Sequence, residues 1–387
     1  MKEGYRLLGD FIQPVDERNR DLKVDYLLGV SISKQFIPSI ANIVGTDLSS
    51  YKIVRTGQFA YGPVTSRNGE KISIALLRDK DCIISSSYTV FEVVNKNALD
   101  PEYLMLWFSR PEFDRYARYM SHGSVREIFD WDELCKVELP VPSIDKQRSI
   151  VKAYQTITER IELKRRINDN LEATAMSLYK SWFIDYEPFD LGDEGLPVGW
   201  CKEKLNDKLS TSTQSINPQK MDCDFVWHYS IPAYDNEKLP SKDTPSSILS
   251  NKYIVPQNAI LVSKLNPDTK RIWRSVPCFE NAICSTEFIV FSTKEPTHRA
   301  FYYLLFNTGS FIDFLVSNAT GSTNSRMRVK PASSLDFEFI CPPNEVIDSF
   351  CRKVEPLLQK IEENHLEIRK LKELIPIAVA KMMSSSR

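Results

Sequence analysis

The sequence has few of the features that mark membrane, secreted or metal-stabilised proteins. None of its apolar runs approaches the roughly 18 residues that a transmembrane helix needs, and residues 1–5 lack the apolar core of a signal peptide. The four histidines and eight cysteines are scattered, with no CxxC pair and no zinc-finger spacing. We therefore expect a cytoplasmic protein without a bound metal, whose cysteines are buried, reduced thiols.

The motifs of common nucleotide-dependent enzymes are also missing. There is no GxxxxGK[ST] phosphate loop and no Gly-rich turn after a strand, so we expect no ATP, dinucleotide or methyl-donor cofactor on this chain. The Asn/Asp-Pro-Pro-aromatic motif of DNA amino-methyltransferases is absent, because Glu102 stands where the string 100–103 needs a second proline. Glu162 and Lys164 fit only half of a nuclease motif. The sequence predicts no catalytic residue.

The charges of the chain nearly cancel. Lys and Arg number 50 against 51 Asp and Glu, which excludes a histone-like basic protein. Any basic surface must therefore come from local segregation of charge. The 387 residues, 42% hydrophobic and 26% charged, are sufficient for two or three globular domains with buried cores.

The chain repeats itself at a period near 200 residues. Five features follow one another in the same order in both halves: a leading segment, a strand, an apolar helix, a small polar loop and a strand with a proline exit. They are 8–10, 87–91, 103–108, 122–126 and 137–142, matched by 205–207, 287–291, 302–306, 320–324 and 337–343. Each match alone is weak, but five in the same order indicate a duplication.

Each half ends in a long segment with heptad-like apolar spacing. The first runs from Ile144 to about Asp185 and the second from Asn344 to about Met383. The spacing predicts two helices of about 55–60 Å, and we expect Pro356 and Pro376 to kink or locally disrupt the second. The residues assigned to the coiled-coil and partner interface are Ile150, Ile157, Ile161, Leu171, Leu178, Val354, Leu357, Ile361, Ile368, Leu371 and Ile375.

These patterns predict an α/β protein with two similar mixed α/β domains, separated by two long helices and related by an internal pseudo-two-fold repeat. The expected segments are the domain 1–143, the helical region 144–186, the domain 187–343 and the helical region 344–387. A chain that leaves one domain along the first helix and returns along the second favours an antiparallel coiled coil. The alternative is that each helix packs only on its own domain.

Several loops concentrate cations, hydroxyls and amides with few acids. Lys and Arg suit phosphates and guanine, Asn suits adenine, and hydroxyls suit the DNA backbone. Solvated surface loops have the same composition, which is the alternative for any one of them. The DNA-binding candidates are Tyr61, Thr65, Ser66, Arg67, Asn68, Lys71, Ser124 and Arg126 in the first half, and Lys264, Asn266, Lys270, Arg271, Arg274, Ser322, Asn324, Arg326, Arg328 and Lys330 in the second.

The alternation of Arg326, Arg328 and Lys330 suggests an extended edge whose side chains leave one face together. We expect Arg328 and Lys330 on phosphates, and Asn324 or Arg326 on base edges. Two related but different domains predict a split, asymmetric DNA target whose gap is fixed by a helical spacer. The near-zero net charge predicts modest affinity for DNA without a partner.

Four segments resemble a known family, the specificity (S) subunits of type I restriction–modification systems. Residues 139–147 (LPVPSIDKQ) resemble the family's entry into its first conserved region. Residues 160–172 (RIELKRRINDNLE) and 180–186 (KSWFIDY) are similar to the helical signature that follows. Residues 196–200 (LPVGW) resemble the start of the second target-recognition domain. The resemblance extends over essentially the whole chain.

The resemblance implies a non-catalytic subunit that reads a bipartite, double-stranded DNA site through two target-recognition domains. It implies a complex with two modification (methyltransferase) subunits and, for cleavage, two restriction subunits. The methyl donor S-adenosylmethionine and ATP are then expected on the partner subunits and not on this chain. Two alternatives stay open: a nuclease or methyltransferase that acts alone, and a coiled-coil adaptor without DNA function.

Overall fold

The fold is built from two compact units. The computed structural model describes residues 4–39, 45–66, 68–69, 71–122, 127–193, 195–276, 279–321 and 327–384. Unit 1 comprises residues 1–160 and 371–387, and unit 2 comprises residues 161–370. Each of the two long helices is shared between the units. The four-segment division expected from the sequence stays a prediction.

The described residues of unit 1 form ten strands, three short α-helices, the first part of one long helix and the last part of another. The strands are β1 (Tyr5–Leu7), β2 (Ile12–Val15), β3 (Leu28–Val30), β4 (Phe36–Pro38), β5 (Lys52–Val54), β6 (Phe59–Tyr61), β7 (Ile74–Leu76), β8 (Cys82–Ile84), β9 (Thr89–Val93) and β10 (Glu138–Pro140). The helices are α1 (Pro101–Phe108), α2 (Pro111–Tyr119), α3 (Trp131–Cys135) and the long α4 (Ile144–Phe183).

Unit 2 repeats this plan with an enlarged strand region. Its helices are α5 (Leu205–Lys208), α6 (Ile231–Glu237), α7 (Arg299–Phe306), α8 (Gly309–Ser317), α9 (Pro331–Ser334) and the long α10 (Asn344–Ser384). Its strands are β11 (Cys201–Lys204), β12 (Leu209–Ser212), β13 (Ser215–Ile216), β14 (Val226–Tyr229), β15 (Ser241–Asp243), β16 (Lys252–Ile254), β17 (Ile260–Ser263), β18 (Ile272–Arg274), β19 (Ala282–Cys284), β20 (Phe288–Thr293) and β21 (Glu338–Cys341).

A four-stranded antiparallel sheet forms the centre of each unit. The strand order is β2-β9-β6-β7 in unit 1 and β12-β20-β17-β18 in unit 2. Short apolar strands bounded by Gly, Pro and Asn turns favour such sheets, because alternate side chains pack on the helices behind them. In unit 1, Phe59 and Phe91 pair across β6 and β9, and their rings stack at 4.9 Å. Phe108 of α1 meets the Phe59 ring edge-on at 5.9 Å.

The predicted internal repeat is confirmed element by element. The first and last strands of each unit pair with each other, β1 with β10 and β11 with β21. The predicted repeats of strand, apolar helix and exit strand correspond to β9 and β20, α1 and α7, and β10 and β21. The outer strand regions differ: unit 1 has the separate pairs β3-β4 and β5-β8, whereas unit 2 has one five-stranded sheet, β13-β16-β19-β14-β15.

The two long helices run antiparallel within unit 2. Lys164 of α4 forms an ion pair with Glu367 of α10 at 2.7 Å, whereas the later Phe183 packs on the earlier Phe350 at 4.7 Å between ring centroids. In unit 1, Ile375 of α10 packs against a core that includes Ile150 of α4. This packing agrees with the predicted antiparallel pair and covers most of the predicted apolar seam.

Helix α10 continues through Pro356 and Pro376, so the expected local disruption of the helix is wrong, and the alternative expectation of a kink stays a prediction. Proline removes one N–H and so one hydrogen bond, and tertiary packing can hold the remaining turns in place. The expectation of buried cysteines holds for only part of the chain. The seven described cysteines are free thiols, of which Cys201 is exposed and Cys135 and Cys223 are half-buried.

Candidate nucleic-acid interface

In unit 1 the two polar loops predicted from the sequence lie side by side. Ile128 forms isolated β-bridges with both Val64 and His122. The Thr65 N–H donates to the carbonyl of Glu127 at 2.9 Å, and the buried Thr65 hydroxyl donates to Ser121 Oγ at 2.9 Å. These bonds join the base of the loop 62–71 to the base of the loop 122–127. We call this joined pair the loop pair of unit 1.

Unit 2 contains the corresponding loop pair, formed by residues 264–271 and 320–328. Arg328 forms isolated β-bridges with both Leu265 and Thr320. The Asn266 N–H donates to the carbonyl of Met327 at 2.8 Å, and the Asn266 side-chain oxygen accepts from the Met327 N–H at 3.1 Å. Asn266 therefore takes the place that Thr65 has in unit 1.

Both loop pairs continue into a tight turn that brings polar groups to the surface. The Asn68 N–H donates to the carbonyl of Thr65 at 3.0 Å, and the Thr269 N–H donates to the carbonyl of Asn266 at 2.9 Å. Asn266 adopts a left-handed φ of 48°, a conformation that Asn tolerates better than most residues. The scaffold thus presents the same turn twice, with different side chains.

Three unit 1 candidates are available on the surface. Ser66 and Lys71 are exposed, and half-buried Asn68 donates from Nδ2 to the carbonyl of Val64 at 3.2 Å. Two others are interior residues. Tyr61 ends strand β6, is fully buried and packs on Phe91, and Thr65 is held at the loop base. Arg67, Ser124 and Arg126 lie outside the described residues.

In unit 2, Lys270, Arg328 and Lys330 are exposed and Lys264 is half-buried. The alternation expected at this edge is present, because the exposed Arg328 and Lys330 flank the buried Val329. Lys330 also precedes helix α9 directly, so the extended segment ends there. Ser322, Asn324 and Arg326 lie outside the described residues.

Three predicted cations of unit 2 are engaged with carboxylates. Arg328 forms a bidentate pair with Glu287 at 3.0 and 3.1 Å, and Arg271 forms one with Asp235 at 2.6 and 2.9 Å. The Arg328 pair is half-exposed and remains accessible at the surface. Arg271 is more enclosed.

Arg274 belongs to the interior of unit 2, and its prediction as a DNA contact is wrong for that reason. Only 5% of its side chain is exposed, and it forms ion pairs with Glu355 and Glu362 of α10. Arg299 completes the cluster: it approaches Glu362 at 3.5 Å and donates to the carbonyl of Ser275 at 3.0 Å. Burial raises the pKa of Glu362 and lowers the pKa of Arg299 to about 10. This cluster fastens the central sheet to α10.

A buried ion pair that sequence reasoning missed positions the unit 1 loop pair. Asp114 of α2 accepts from Lys34 Nζ at 2.5 Å and from the Ile72 N–H, directly after the loop, at 3.1 Å. Lys34 lies in the β3–β4 turn at a left-handed φ of 65°, and burial lowers the pKa of its ammonium group. The partners are 80 residues apart in sequence, so no local pattern signals the contact.

The long helices also expose apolar residues that the seam prediction missed. Most of the predicted seam is buried or half-buried inside the chain's own fold. By contrast, Leu163 and Ile167 of α4 in unit 2, and Leu374 and Ile377 of α10 in unit 1, are exposed large apolar side chains. Leu163 and Ile167 are four residues apart and therefore share one helix face.

The described residues hold no cluster of His, Cys, Asp and Glu suited to a metal ion. Across the part of the chain that the structure describes, no helix is long and apolar enough to span a membrane. The candidate binding surfaces among the described residues are the two loop pairs and the exposed side chains of the long helices. Both units thus present polar loops on one repeated α/β scaffold.

Comparisons with known proteins agree with this architecture. The family model of the type I restriction modification DNA specificity domain matches residues 39–173. The type I restriction enzyme MjaIX specificity subunit of Methanocaldococcus jannaschii is 24% identical over 317 residues, with 75% of this chain and 70% of that protein covered. The HindI specificity subunit of Haemophilus influenzae is 21% identical over 423 aligned positions, with 89% and 90% covered.

A solved structure shares the fold. The crystal structure of the type I restriction–modification system S subunit from M. genitalium superposes with a TM-score of 0.57 at 13% identity, and covers 98% of this chain and 95% of that chain. The chain is therefore similar in sequence to type I restriction enzyme specificity subunits over most of its length, and it shares the fold of a type I S subunit.

Proposed function

We propose that this chain is the non-catalytic DNA-specificity subunit of a type I restriction–modification complex. The observation that carries the proposal is the duplicated loop pair. In each unit, two separate polar loops are joined at their bases by the same bridges and backbone hydrogen bonds. A scaffold that repeats while its loop side chains change is suited to reading two different short sequences.

The target is a bipartite, asymmetric double-stranded DNA site. Each loop pair reads one half-site, and the half-sites differ because the side chains differ. Among the described residues of unit 1, those proposed to contact DNA are Ser66, Asn68 and Lys71. In unit 2 they are Lys264, Lys270 and Lys330, with Arg328 shared between Glu287 and a phosphate. The long helices set the length of the unread gap.

The partners are two modification (methyltransferase) subunits and, for cleavage, two restriction subunits. The exposed apolar residues of the long helices, including Leu163 and Ile167, suit a protein partner because burial of apolar area drives association. S-adenosylmethionine and ATP are bound by those partners. We place the complex in the cytoplasm, where it meets foreign DNA.

Methylome sequencing of cells with and without the gene tests the proposal. We expect one class of split methylated site to disappear when the gene is deleted. Replacing residues 1–143 by those of a relative should change one half of that site only. A deletion that leaves every methylated site in place contradicts the proposed function, and a swap that changes both halves together contradicts the two-module arrangement.

A lengthened spacer tests the role of the helices. Inserting residues within 144–186, with a matched insertion in 344–387, should widen the gap and leave both half-sites unchanged, because each helical residue adds about 1.5 Å. The readout is the methylated site itself. An unchanged gap in a stable, active complex would show that the helices do not set it.

A further inference from the structure

One face of helix α2 in unit 1 presents a line of exposed polar and aromatic side chains. Arg115, Tyr119 and His122 follow one another at four- and three-residue intervals, so they lie along one side of the helix and its exit. The exposed fraction is 66% for the Arg115 side chain and 82% for Tyr119. Arg115 makes only a long contact of 3.5 Å with Glu112. A tyrosine this exposed contributes almost nothing to the core.

This line leads directly into the loop pair of unit 1. Ser121 accepts a hydrogen bond from Thr65, and His122 bridges Ile128. The exposed face of α2 is therefore continuous with the surface proposed to read DNA.

The same positions in unit 2 carry the opposite chemistry. Phe113 and Phe311 are buried and pack on Phe108 and Phe306 at 4.7 and 4.5 Å between ring centroids, which fixes the correspondence between α2 and α8. On that register, Asp313 and Ser317 replace Arg115 and Tyr119. Among the described residues, 115–122 contain Arg115 and Arg118, of which Arg118 is paired with Glu127, whereas 313–321 contain one Asp and no Lys or Arg.

The segment that follows the second loop forms the other flank of each loop pair, with α2 or α8 on the first flank. In this segment the cations lie in unit 2 and not in unit 1. In unit 2 the exposed Arg328 and Lys330 flank the buried Val329, and in unit 1 the exposed Ile128 and Asp130 flank the buried Phe129. On these two segments, and among the described residues, unit 1 therefore carries its cations on α2, and unit 2 carries them on 328–330.

We infer that α2 contacts the DNA backbone in unit 1, and that unit 2 makes the equivalent contact through the segment 328–330. Arg115 binds a phosphate, and the Tyr119 ring packs on the adjoining sugar while its hydroxyl donates to a phosphate oxygen. The two half-sites are thus held from different sides of the loop pair. This inference rests on the proposed DNA function and extends it to residues outside the loops.

Binding measurements on the full chain with its modification subunits test the inference. The probes are a fluorescein-labelled duplex with the site found by methylome sequencing and a scrambled duplex of equal length, each titrated at several potassium chloride concentrations. Arg115→Ala should reduce the salt slope by about one on both duplexes. Tyr119→Ala should weaken binding about tenfold, because it removes a hydrogen bond to a charged phosphate oxygen together with the ring, and Tyr119→Phe should lose less because the ring remains.

Matched variants separate a specific contact from a general effect. Ser317→Ala replaces the residue of α8 that corresponds to Tyr119, and Lys202→Ala removes one exposed cation from unit 2. Both should bind both duplexes like the wild type, and all variants should show wild-type thermal unfolding. If Arg115→Ala and Tyr119→Ala bind like wild type while Lys330→Ala weakens binding, the α2 contact is wrong and the DNA function stands. If the wild-type complex shows no salt-dependent DNA binding, the proposed function itself fails.

Discussion

The two units share a scaffold, but at one equivalent position of the central sheet they carry chemically different side chains. Phe59 pairs with Leu76 and Phe91 in unit 1, and Ile260 pairs with Arg274 and Phe291 in unit 2. Leu76 and Arg274 therefore occupy one position of the duplicated sheet. Leu76 packs in an apolar core, whereas Arg274 enters a buried ion cluster with two carboxylates of α10.

This difference shows that duplication preserved the backbone pairing while the packing chemistry diverged. An apolar contact tolerates changes of partner, because only volume and shape must match. A buried ion cluster does not, because each charge depends on the others for its solvation. Unit 2 is thus held to its segment of α10 by a buried ion cluster in addition to apolar packing, and unit 1 is held to its helical segments by apolar packing.

The largest expected effect is the loss of Arg274. Arg274→Ala leaves Glu355 and Glu362 facing Arg299 alone in a buried site, and we expect a loss of about 3–5 kcal/mol in the free energy of unfolding. Leu76→Ala, the matched change in unit 1, should cost about 2–5 kcal/mol through its cavity. Chemical denaturation of the full chain measures both.

The two losses should respond differently to a second change. Adding Glu355→Gln and Glu362→Gln to Arg274→Ala removes the uncompensated charges and should restore part of the stability. No change on α10 should rescue Leu76→Ala. If the added glutamines restore nothing, charge compensation is not what makes Arg274 costly to remove.

A second contrast lies along the helix pair, where unit 2 places a polar layer and unit 1 an apolar one. Asn364 donates from Nδ2 to Asn168 Oδ1 at 2.8 Å, and Lys164 donates to Asn364 Oδ1 at 3.0 Å. Both asparagines are buried. Asn168→Ala should cost about 1–3 kcal/mol, because it leaves the Asn364 amide without its buried acceptor.

The double variant Asn168→Leu with Asn364→Leu sharpens this prediction. It should recover the lost stability and weaken the choice of helix register, as apolar replacements do in coiled coils. Denaturation midpoints with a double-mutant cycle measure the coupling. A coupling energy near zero would show that the two asparagines act independently.

The stability of the two units should also depend differently on pH, because three of the four histidines lie in unit 2. Burial and the nearby Lys238 ammonium lower the pKa of His365 from 6.5 to about 4. The unfolded chain therefore binds this proton more readily than the folded one. The stability contributed by neutral His365 is full above pH 6.5 and is lost as the pH falls towards about 4.

The expected loss is about 1–2 kcal/mol between about pH 7 and about pH 5. His365→Gln should remove the part of this dependence that His365 contributes, and the part from His228, whose pKa burial also lowers, should remain. His122→Gln, which changes the exposed histidine of unit 1, should leave the dependence unaltered. Urea denaturation across this pH range measures the effect, and an equal pH dependence in all three proteins would exclude His365 as its source.

Sequence reasoning could place the loops because their composition and order repeat, and it could place the long helices because heptad spacing is a local signal. Helix α4 begins at Ile144 and α10 at Asn344, as that spacing predicted. The same reasoning could not separate surface cations from interior ones. Arg274 and Arg328 look alike in sequence, and the carboxylates that distinguish them lie 81 and 41 residues away.

Tyr61 and Tyr119 show the same limit for aromatic residues. Tyr61 stands beside a Gly-Pro turn and was predicted as a loop residue, yet the sheet register places it in the core at the end of β6. Tyr119 stands at the end of an amphipathic helix, where only the packing of α2 shows that its ring faces outward. Three-dimensional packing overturns the assignment of Tyr61 and places Tyr119, which the sequence analysis did not assign, on the surface.

The smallest expected effect concerns the ion pair that restrains Arg328. Glu287 places a carboxylate on the flank where unit 2 is proposed to meet phosphate, and its pair with Arg328 is half-exposed, so it adds at most about 1 kcal/mol to stability. Glu287→Gln keeps the shape, removes one negative charge and frees Arg328 for a phosphate. We expect an affinity for both duplexes about two- to threefold higher, since removing one repulsion near a phosphate is a modest electrostatic gain.

The matched control is Asp235→Asn, which frees the more enclosed Arg271 and should leave the affinity unchanged. Weaker binding by Glu287→Gln would show that the carboxylate holds Arg328 in its DNA-binding position, and would reverse the role assigned to this pair.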